Sequence, residues 1–561
     1  MPDGSSSNVR TGGQILVDCL RLHGVDTVFC VPGESYLATL DAFHDVQDKI
    51  DLVVCRQEGG VTNMADAWGK MTGKPGIAFV TRGPGATNAS VGIHTAHQDS
   101  TPLILFVGQI ARDMAEREAF QEVDYRRMFG EMTKWVAQID SAARIPEMVS
   151  RAFHVATSGR PGPVVLALPE DMQTERADTE DGQPYRSAQA NPGATDMDKF
   201  RDMLASAKKP MVLAGGGGWS AEACADLAAF AEANRLPVAT AFRRQDLMDN
   251  RHPNFAGVVG LGINPKLKDR LDDTDLLIVL GPQLGEIVTG GYTYFTFPKP
   301  KQTMIHISAG VDELGKVYQA DLGINAGMAE FCAAAKAMTP VDASWAGEAE
   351  TAHADYMAFS TPPDMPGDVN YSEIVGWLSD NLPDDAVITN GAGNYTVWVH
   401  RFFRYKQYGT QLAPQSGAMG YGVPSGVAAG VRHRDRIVVS FSGDGCFQMN
   451  GQEIGTAVQQ GVKTIFIVVN NGMYGTIRMH QETHYPKRKS GTDLHNPDFA
   501  ALARAYGAHG ETVTKTADFE AAFERCRAAE GPSLIELVIE PDAVLPTNTL
   551  SGIQAAALKA K

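Results

Sequence analysis

The chain has 561 residues, enough for about three to four domains of roughly 150 residues each and for several buried cores. Apolar residues make up 43% and charged residues 20%, which excludes a disordered or fibrous chain. With 49 Lys and Arg against 66 Asp and Glu the net charge is −17, a surface that repels a phosphate backbone, so no nucleic-acid partner is expected.

Seven cysteines are scattered and form no Cys-x-x-Cys pair. That argues against a disulfide framework or a zinc site and for a reducing cytoplasm. The first ten residues lack the apolar core of a signal peptide, and no apolar run approaches the about 20 residues that span a bilayer. No membrane partner is expected.

In chain order, short apolar runs at 27–31, 52–55, 76–80, 103–107 and 163–168 alternate with helix-like stretches. Continuous runs of this kind predict strands of a parallel sheet covered on both faces. A polar stretch at 170–195 reads as a linker. The alternation resumes with strands at 210–214, 236–240, 275–280 and 303–307, followed by a Pro-containing linker at 341–368. A third block has strands at 386–389, 436–441, 464–469 and 534–538. The fold class is α/β, with three doubly wound parallel-sheet domains expected at 8–175, 196–340 and 365–550. The first and third blocks look like copies of one design. Each has a strand that runs into a Gly-x-Gly turn (Gly83-Pro84-Gly85 and Gly443-Asp444-Gly445), then a helix, then another strand.

The stretch that carries chemistry is Gly443-Asp444-Gly445, then 24 residues, then Asn470-Asn471. Glycines let a backbone turn sharply at a strand's carboxyl end and approach a ligand, and open α/β sheets bind ligands at that end. One crossover later the next strand returns alongside, which puts Asn471 next to Asp444. A carboxylate, an amide oxygen and a backbone carbonyl at Met473 make a hard oxygen site suited to Mg²⁺ held together with phosphates. The N–H groups of Gly445 and Cys446, and of Tyr474 and Gly475 at the next turn, can cradle a diphosphate. Taken singly, an Asp-Gly turn or an Asn-Asn-Gly turn is a common connection between strands. Their occurrence together at strand ends one crossover apart favours a site.

These residues resemble the signature of thiamine-diphosphate (ThDP) enzymes. Arg56-Gln57-Glu58-Gly59 with Asn63-Met-Ala-Asp-Ala-Trp-Gly69 resembles the segment of the pyrimidine-binding domain that carries an activating glutamate. Thr81-Arg-Gly-Pro-Gly-Ala-Thr-Asn88 matches that domain's Gly-Pro-Gly turn. Ala119-Phe-Gln-Glu-Val-Asp124, Ser158-Gly-Arg-Pro-Gly-Pro-Val-Val165 and Asn496-Pro-Asp-Phe499 look like acetolactate (acetohydroxyacid) synthases in particular. The resemblance covers nearly the whole chain and makes the blocks pyrimidine-binding, central and diphosphate-binding domains.

The resemblance implies a role for each of these segments. ThDP would supply the carbon nucleophile that adds to a carbonyl. By the family pattern, Glu58 bonds the pyrimidine ring nitrogen, favours its imino tautomer and belongs in a dry site. Gln57 stands where many relatives carry His. Gly417-Ala-Met419-Gly420 matches the segment that bends the cofactor, with Met419 wedged between its rings and the Gly417 carbonyl facing the pyrimidine amino group. Gly391 to Tyr395, including Ala392, Gly393, Asn394 and Tyr395, aligns with a second diphosphate-contacting turn. Phe120 and Gln121 match a pair that lines the substrate space.

Glu34, in Val31-Pro-Gly-Glu34, replaces the second Gly of the synthases' Pro-Gly-Gly loop. The acid is similar to the Asp of keto-acid decarboxylases and could relay protons during aldehyde release, although the paired His of those enzymes is missing near Gln121. His94 and His97 have no further ligands in view and read as a satisfied, partly buried pair. His480 stands where biosynthetic synthases carry a Trp, and the polar segment 478–490 reads as a mobile lid. For FAD the signals divide. Gly215-Gly-Gly-Gly-Trp219 and Gly257-Val-Val-Gly-Leu-Gly262 resemble parts of a flavin site, but 281–285 lacks the usual Arg and 305–310 lacks both usual acids. An empty central domain or another nucleotide is the alternative.

The expected reaction is decarboxylation of a 2-oxo acid such as pyruvate, with ligation of the retained fragment to a second carbonyl compound. The alternatives are a non-ligating decarboxylase and a 2-hydroxy ketone lyase. A nicotinamide oxidoreductase would leave Asp444 and Asn471 without work, and a non-catalytic scaffold would not need Glu58 beside an intact metal motif. The family pattern brings Glu58 and the metal site from two subunits to one cofactor, which implies a homodimer or homotetramer.

Overall fold

The computed structural model describes residues 9–560. The start read as lacking a signal core lies largely outside them, as does the first residue of the expected 8–175 domain. The described chain forms two compact units, one ending at Ala188 and the other beginning at Gln189.

The first unit holds a sheet of β1 (Thr27–Cys30), β2 (Asp51–Val54), β3 (Gly76–Val80), β4 (Leu103–Gln109), β5 (Trp135–Gln138) and β6 (Pro163–Pro169). Its order is β2-β1-β3-β4-β6-β5, and every pairing is parallel. The middle strands β3, β4 and β6 are buried along their whole length, which is why their sequences run apolar without alternation. Each fully buried Val, Leu, Ile or Phe there adds about 1.5–3 kcal/mol of burial. The expected linker opens with the short helix Glu170–Thr174 and a strand, Arg176–Asp178, that pairs antiparallel with Val9–Thr11.

The second unit holds two sheets. One consists of β7 (Pro210–Ala214), β8 (Val238–Ala241), β9 (Phe255–Val259), β10 (Leu276–Leu280), β11 (Thr303–Ser308) and β12 (Leu322–Asn325), in the order β9-β8-β7-β10-β11-β12. This is the dinucleotide-fold order, with its switch point between β7 and β10. The other consists of β13 (Val387–Asn390), β14 (Gln411–Leu412), β15 (Val438–Gly443), β16 (Ile465–Asn470), β17 (His509–Val513) and β18 (Ser533–Val538), ordered β14-β13-β15-β16-β18-β17. Both sheets are parallel throughout. The second linker carries a helix, Glu348–Phe359, whose Tyr356 packs edge-on against Phe255 with ring centres 4.9 Å apart.

Numbered within each sheet, the first and third sheets share one strand order, 2-1-3-4-6-5, and the central one does not. That shared topology supports the duplication read from the two Gly-x-Gly turns. All seven cysteines are buried, and none is in a disulfide. Among the described residues no helix is long and apolar enough to cross a membrane.

Candidate active site

In the second unit, β15 ends at Gly443 and the helix α1 (Asp444–Asn450) begins at the next residue. Asp444 is therefore set at a strand's carboxyl end and a helix's first turn, 3% exposed. Its Oδ1 accepts the Gly445 N–H at 2.9 Å and its Oδ2 accepts the Asn496 side-chain N–H at 2.8 Å. Burial pushes its carboxyl above the usual range, and the amide hydrogen bonds only partly oppose this. A buried carboxylate surrounded by amides needs a counter-charge, and the donors beside it are oxygens, so the residues fit Mg²⁺.

The expected need for glycine in this motif has a different cause from the one read in the sequence. Gly443 has φ −70°, so no left-handed turn is required there. The constraint is steric. A Cβ at Gly445 would lie 2.4 Å from the Tyr474 ring, and one at Gly443 would lie 3.0 Å from the Tyr395 ring. Gly417, by contrast, is left-handed at φ 71° with open space around it, so conformation alone selects glycine.

Strand β16 returns parallel to β15 and delivers Asn471, whose Oδ1 accepts the Met473 N–H at 3.2 Å. Asp444, Asn471 and Met473 line one cavity of about 210 Å³. The same cavity is walled by Ala392, Gly393, Asn394 and Tyr395 after β13, by Gly417 and Met419, and by Gly445, Cys446, Tyr474 and Gly475. The sequence-selected residues of the third block thus converge on one place. Asn394 is also a structural tie. Its backbone N–H donates to Thr476 Oγ1 at 2.9 Å and its side chain donates to Val544 O at 3.0 Å. Glycine-containing turns and a hard oxygen site in one cavity fit one end of ThDP. The volume is below the about 300–1,000 Å³ of pockets that enclose a whole ligand.

In the first unit, Glu58 is the first residue of a helix, Glu58–Thr72, and is half-buried. Its Oε2 accepts the side-chain N–H of Asn88 at 3.0 Å. Asn88, at the end of the Gly-Pro-Gly segment, is a site residue that the sequence pattern does not single out. Gln57 caps the helix, its Oε1 accepting the N–H groups of Gly59 and Gly60 at 2.5 and 3.2 Å, which gives this departure from His a local structural use. Gly85 lies against Glu58, with 3.4 Å from its Cβ position to Oε1. Gly83 is left-handed at φ 57° and meets Gln121, whose Cβ would be 2.8 Å from a Cβ at Gly83. Phe120 is 72% exposed. Glu34 is exposed and lies 3.8 Å from the buried Arg82, whose guanidinium also pairs with Glu170 at 2.7 Å.

One further expectation, at His94, changes. His94 is exposed on its helix rather than partly buried. Exposed His480 stacks on His484, with ring centres 6.3 Å apart. The polar segment after Tyr474 forms a helix, Gly475–His484, whose buried Glu482 pairs with Arg478 at 2.7 Å and accepts from Gln554 at 2.7 Å.

At the central switch point the carbonyls of the glycine turn are taken by the chain's own side chains. The Trp219 indole donates to Gly215 O and the Arg244 guanidinium donates to Gly216 O, each at 2.7 Å, so side chains of the chain itself occupy that turn. At the end of β11, where the resemblance leads to an expectation of acids, Ser308 folds back and its hydroxyl accepts the Gly310 N–H at 3.2 Å.

Comparison with known proteins agrees with this geometry. Residues 10–128 match the thiamine pyrophosphate enzyme N-terminal TPP binding domain, 197–335 the central domain, and 391–537 the C-terminal TPP binding domain. The fold and site therefore define a thiamine-diphosphate-dependent enzyme. The acetolactate synthase isozyme 2 large subunit of Escherichia coli K12 is 32% identical over 94% of this chain and 95% of its own length. The acetolactate synthase large subunits of Parasynechococcus marenigrum (32% identical, 91% of this chain and 85% of the relative) and Corynebacterium glutamicum (31%, 95% and 87%) are similar as well. The chain belongs to the acetolactate synthase-like family of thiamine pyrophosphate enzymes.

Proposed function

We propose that this enzyme decarboxylates a 2-oxo acid such as pyruvate and ligates the retained two-carbon fragment to a second carbonyl compound. The observation that carries the reading is the convergence of Asp444, Asn471 and Met473 with the turns at 392–395, 417–419 and 474–475 on one cavity. When bound, ThDP supplies the carbon nucleophile and stores the electron pair left by decarboxylation.

The roles assigned to the chain's residues belong to the same proposal. Asp444, Asn471 and the Met473 carbonyl hold Mg²⁺ against the diphosphate, and the Cys446 N–H orients it. The N–H groups of Gly445, Tyr474 and Gly475, expected in the same role, donate instead to Asp444 Oδ1, Thr492 O and Met473 O, each at 2.9 Å. Met419 holds the cofactor bent. Glu58, fixed by Asn88, holds a proton at the pyrimidine ring nitrogen. Phe120 and Gln121 face the substrate. FAD is given no role in this proposal. Assembly as a homodimer or homotetramer and a cytoplasmic location complete the proposal, the latter supported by seven buried cysteines, none in a disulfide.

One observation favours a second reading, a non-ligating decarboxylase or 2-hydroxy ketone lyase. Glu34 is an exposed carboxylate next to Arg82 in a loop where ligating relatives have glycine. The product from pyruvate with ThDP and Mg²⁺ decides between them. Acetolactate is expected. Acetaldehyde alone would replace the ligase reading with the decarboxylase, and no consumption of pyruvate would reject it as the donor.

A further inference from the structure

The loop between β4 and β5 carries Phe120 and Gln121, and its backbone is unusual. Glu116, Glu118 and Gln121 all have left-handed φ, at 63°, 53° and 66°. They are three of the four non-glycine residues with positive φ among the described residues of the first unit, the other being Ser100. In that region Cβ crowds the neighbouring carbonyl, so long side chains rarely adopt it. Three such residues within six positions persist only where the surroundings hold them, and such backbone clusters at functional sites.

One side chain does most of the holding. Glu122 Oε1 accepts the Glu116 N–H at 2.7 Å and its Oε2 accepts the Ala119 N–H at 2.9 Å. The Glu122 N–H closes the turn onto Ala119 O at 3.0 Å. These backbone donors hold its carboxyl below the usual range. Beyond Glu122 the loop is bolted down twice. The Tyr125 hydroxyl accepts the Gly83 N–H at 2.9 Å, and Gln109 Nε2 donates to Val123 O at 2.9 Å. Gln121 is thereby pressed against Gly83, two residues from the Gly85 that touches Glu58. A shift of the loop is a shift of Gln121 relative to Glu58.

We propose that Glu122 is a positioning residue: by fixing the left-handed loop it sets the pose of Phe120 and Gln121, and so the partition of the retained fragment between ligation and release as an aldehyde. This role rests on the carboligase reading. Ligation needs a second carbonyl compound held in place while water is kept out, and a loosened Phe120–Gln121 segment gives up both. Protonation of the fragment and release as aldehyde need only water.

The test uses the full chain with Glu122→Gln, which keeps the size but offers one acceptor oxygen, and Glu122→Ala, which removes both. Limited trypsin digestion without cofactor reads the loop directly, because Arg117 lies within it. Cleavage after Arg117 is expected to speed up at least about tenfold in E122A, and less in E122Q, as two charge-assisted hydrogen bonds are lost. ThDP and Mg²⁺ affinities, measured by calorimetry, should stay at the wild-type values, because Glu122 touches neither group. The ratio of acetolactate to acetaldehyde from pyruvate should fall in the same order. Unchanged Arg117 cleavage, or an unchanged product ratio in E122A, overturns the proposal. Wild-type enzyme that makes no ligated product would reject the carboligase reading instead. The digestion would then still decide whether Glu122 holds the loop.

Discussion

The side-chain nitrogen of Asn496 donates to Asp444 Oδ2 and to Asn470 Oδ1, both at 2.8 Å. A carboxylate only accepts, so Asn496 must present its nitrogen here and its oxygen elsewhere. That oxygen accepts from Gln448 at 2.9 Å. Asn470, pinned in turn, donates to Glu536 at 2.7 Å and accepts the Gly472 N–H at 3.1 Å. The polar network therefore sets Asp444 from one side and the Asn471 turn from the other. In metal sites, such outer partners orient the ligands, and their loss costs about 10–100-fold in affinity.

Asn496→Ala should accordingly weaken Mg²⁺ binding by about 10–100-fold while leaving the fold intact. Gln448→Ala, which removes only the orienting partner, should cost less. Isothermal titration of Mg²⁺ in the presence of ThDP checks both. An Asn496→Ala protein with wild-type Mg²⁺ affinity would show that the amide is only packing.

Asp444 itself is predicted to be indispensable. Asp444→Ala removes the charged ligand, so ThDP affinity should fall sharply and lose its dependence on Mg²⁺. The substitution also relieves a buried, desolvated carboxylate, so thermal stability without cofactor should not suffer in proportion. Calorimetry of ThDP with and without Mg²⁺ is the measurement. Unchanged affinity would remove Asp444 from the metal site.

Assembly follows from the same division of labour. In the proposed assembly Glu58 and the metal site come from two chains, so the minimum active unit should be a homodimer. Sedimentation at assay concentration checks this, and a fully active monomer would contradict it.

How far the sequence speaks depends on burial. The interior strands β3, β4, β7, β10, β15 and β16 stand out as apolar runs, and the Gly-Asp-Gly to Asn-Asn spacing then places Asn471 by topology alone. The strands that the sequence does not announce, β5, β9, β12, β14 and β17, all lie at sheet edges. An edge strand buries less, so its pattern is weaker. His509–Val513 is half-exposed for most of its length, Gln411–Leu412 is only two residues, and Gly257 interrupts the run of β9. Asn496 and Asn88 fall inside recognisable motifs, yet nothing local assigns them work. Their partners Asp444 and Glu58 lie 52 and 30 residues away, and local pattern says nothing about where an amide will point. Within the polar segment 478–490 the burial of Glu482 is not legible for a similar reason, since what buries it includes Gln554 from the far end of the chain.

Binding and chemistry should separate at Glu58. Glu58→Gln keeps the size and one hydrogen bond but cannot hold the shared proton at the pyrimidine nitrogen. In the proposed site ThDP is gripped mainly through its diphosphate and Mg²⁺, so its affinity should drop only modestly. Turnover should fall by about 10²–10⁴-fold, the range for lost acid–base assistance. Deuterium exchange at the thiazolium C2 should slow in parallel. Asn88 offers an internal check, because its amide donates to Glu58 Oε2 at 3.0 Å and makes no proton transfer of its own. Asn88→Ala frees the carboxylate without neutralising it. It should therefore slow exchange less than Glu58→Gln, and combining the two substitutions should add little, since both act on one carboxyl group. Normal C2 exchange in Glu58→Gln would mean that this carboxylate does not activate the cofactor. Additive losses in the double variant would mean that Asn88 works by some route other than holding Glu58.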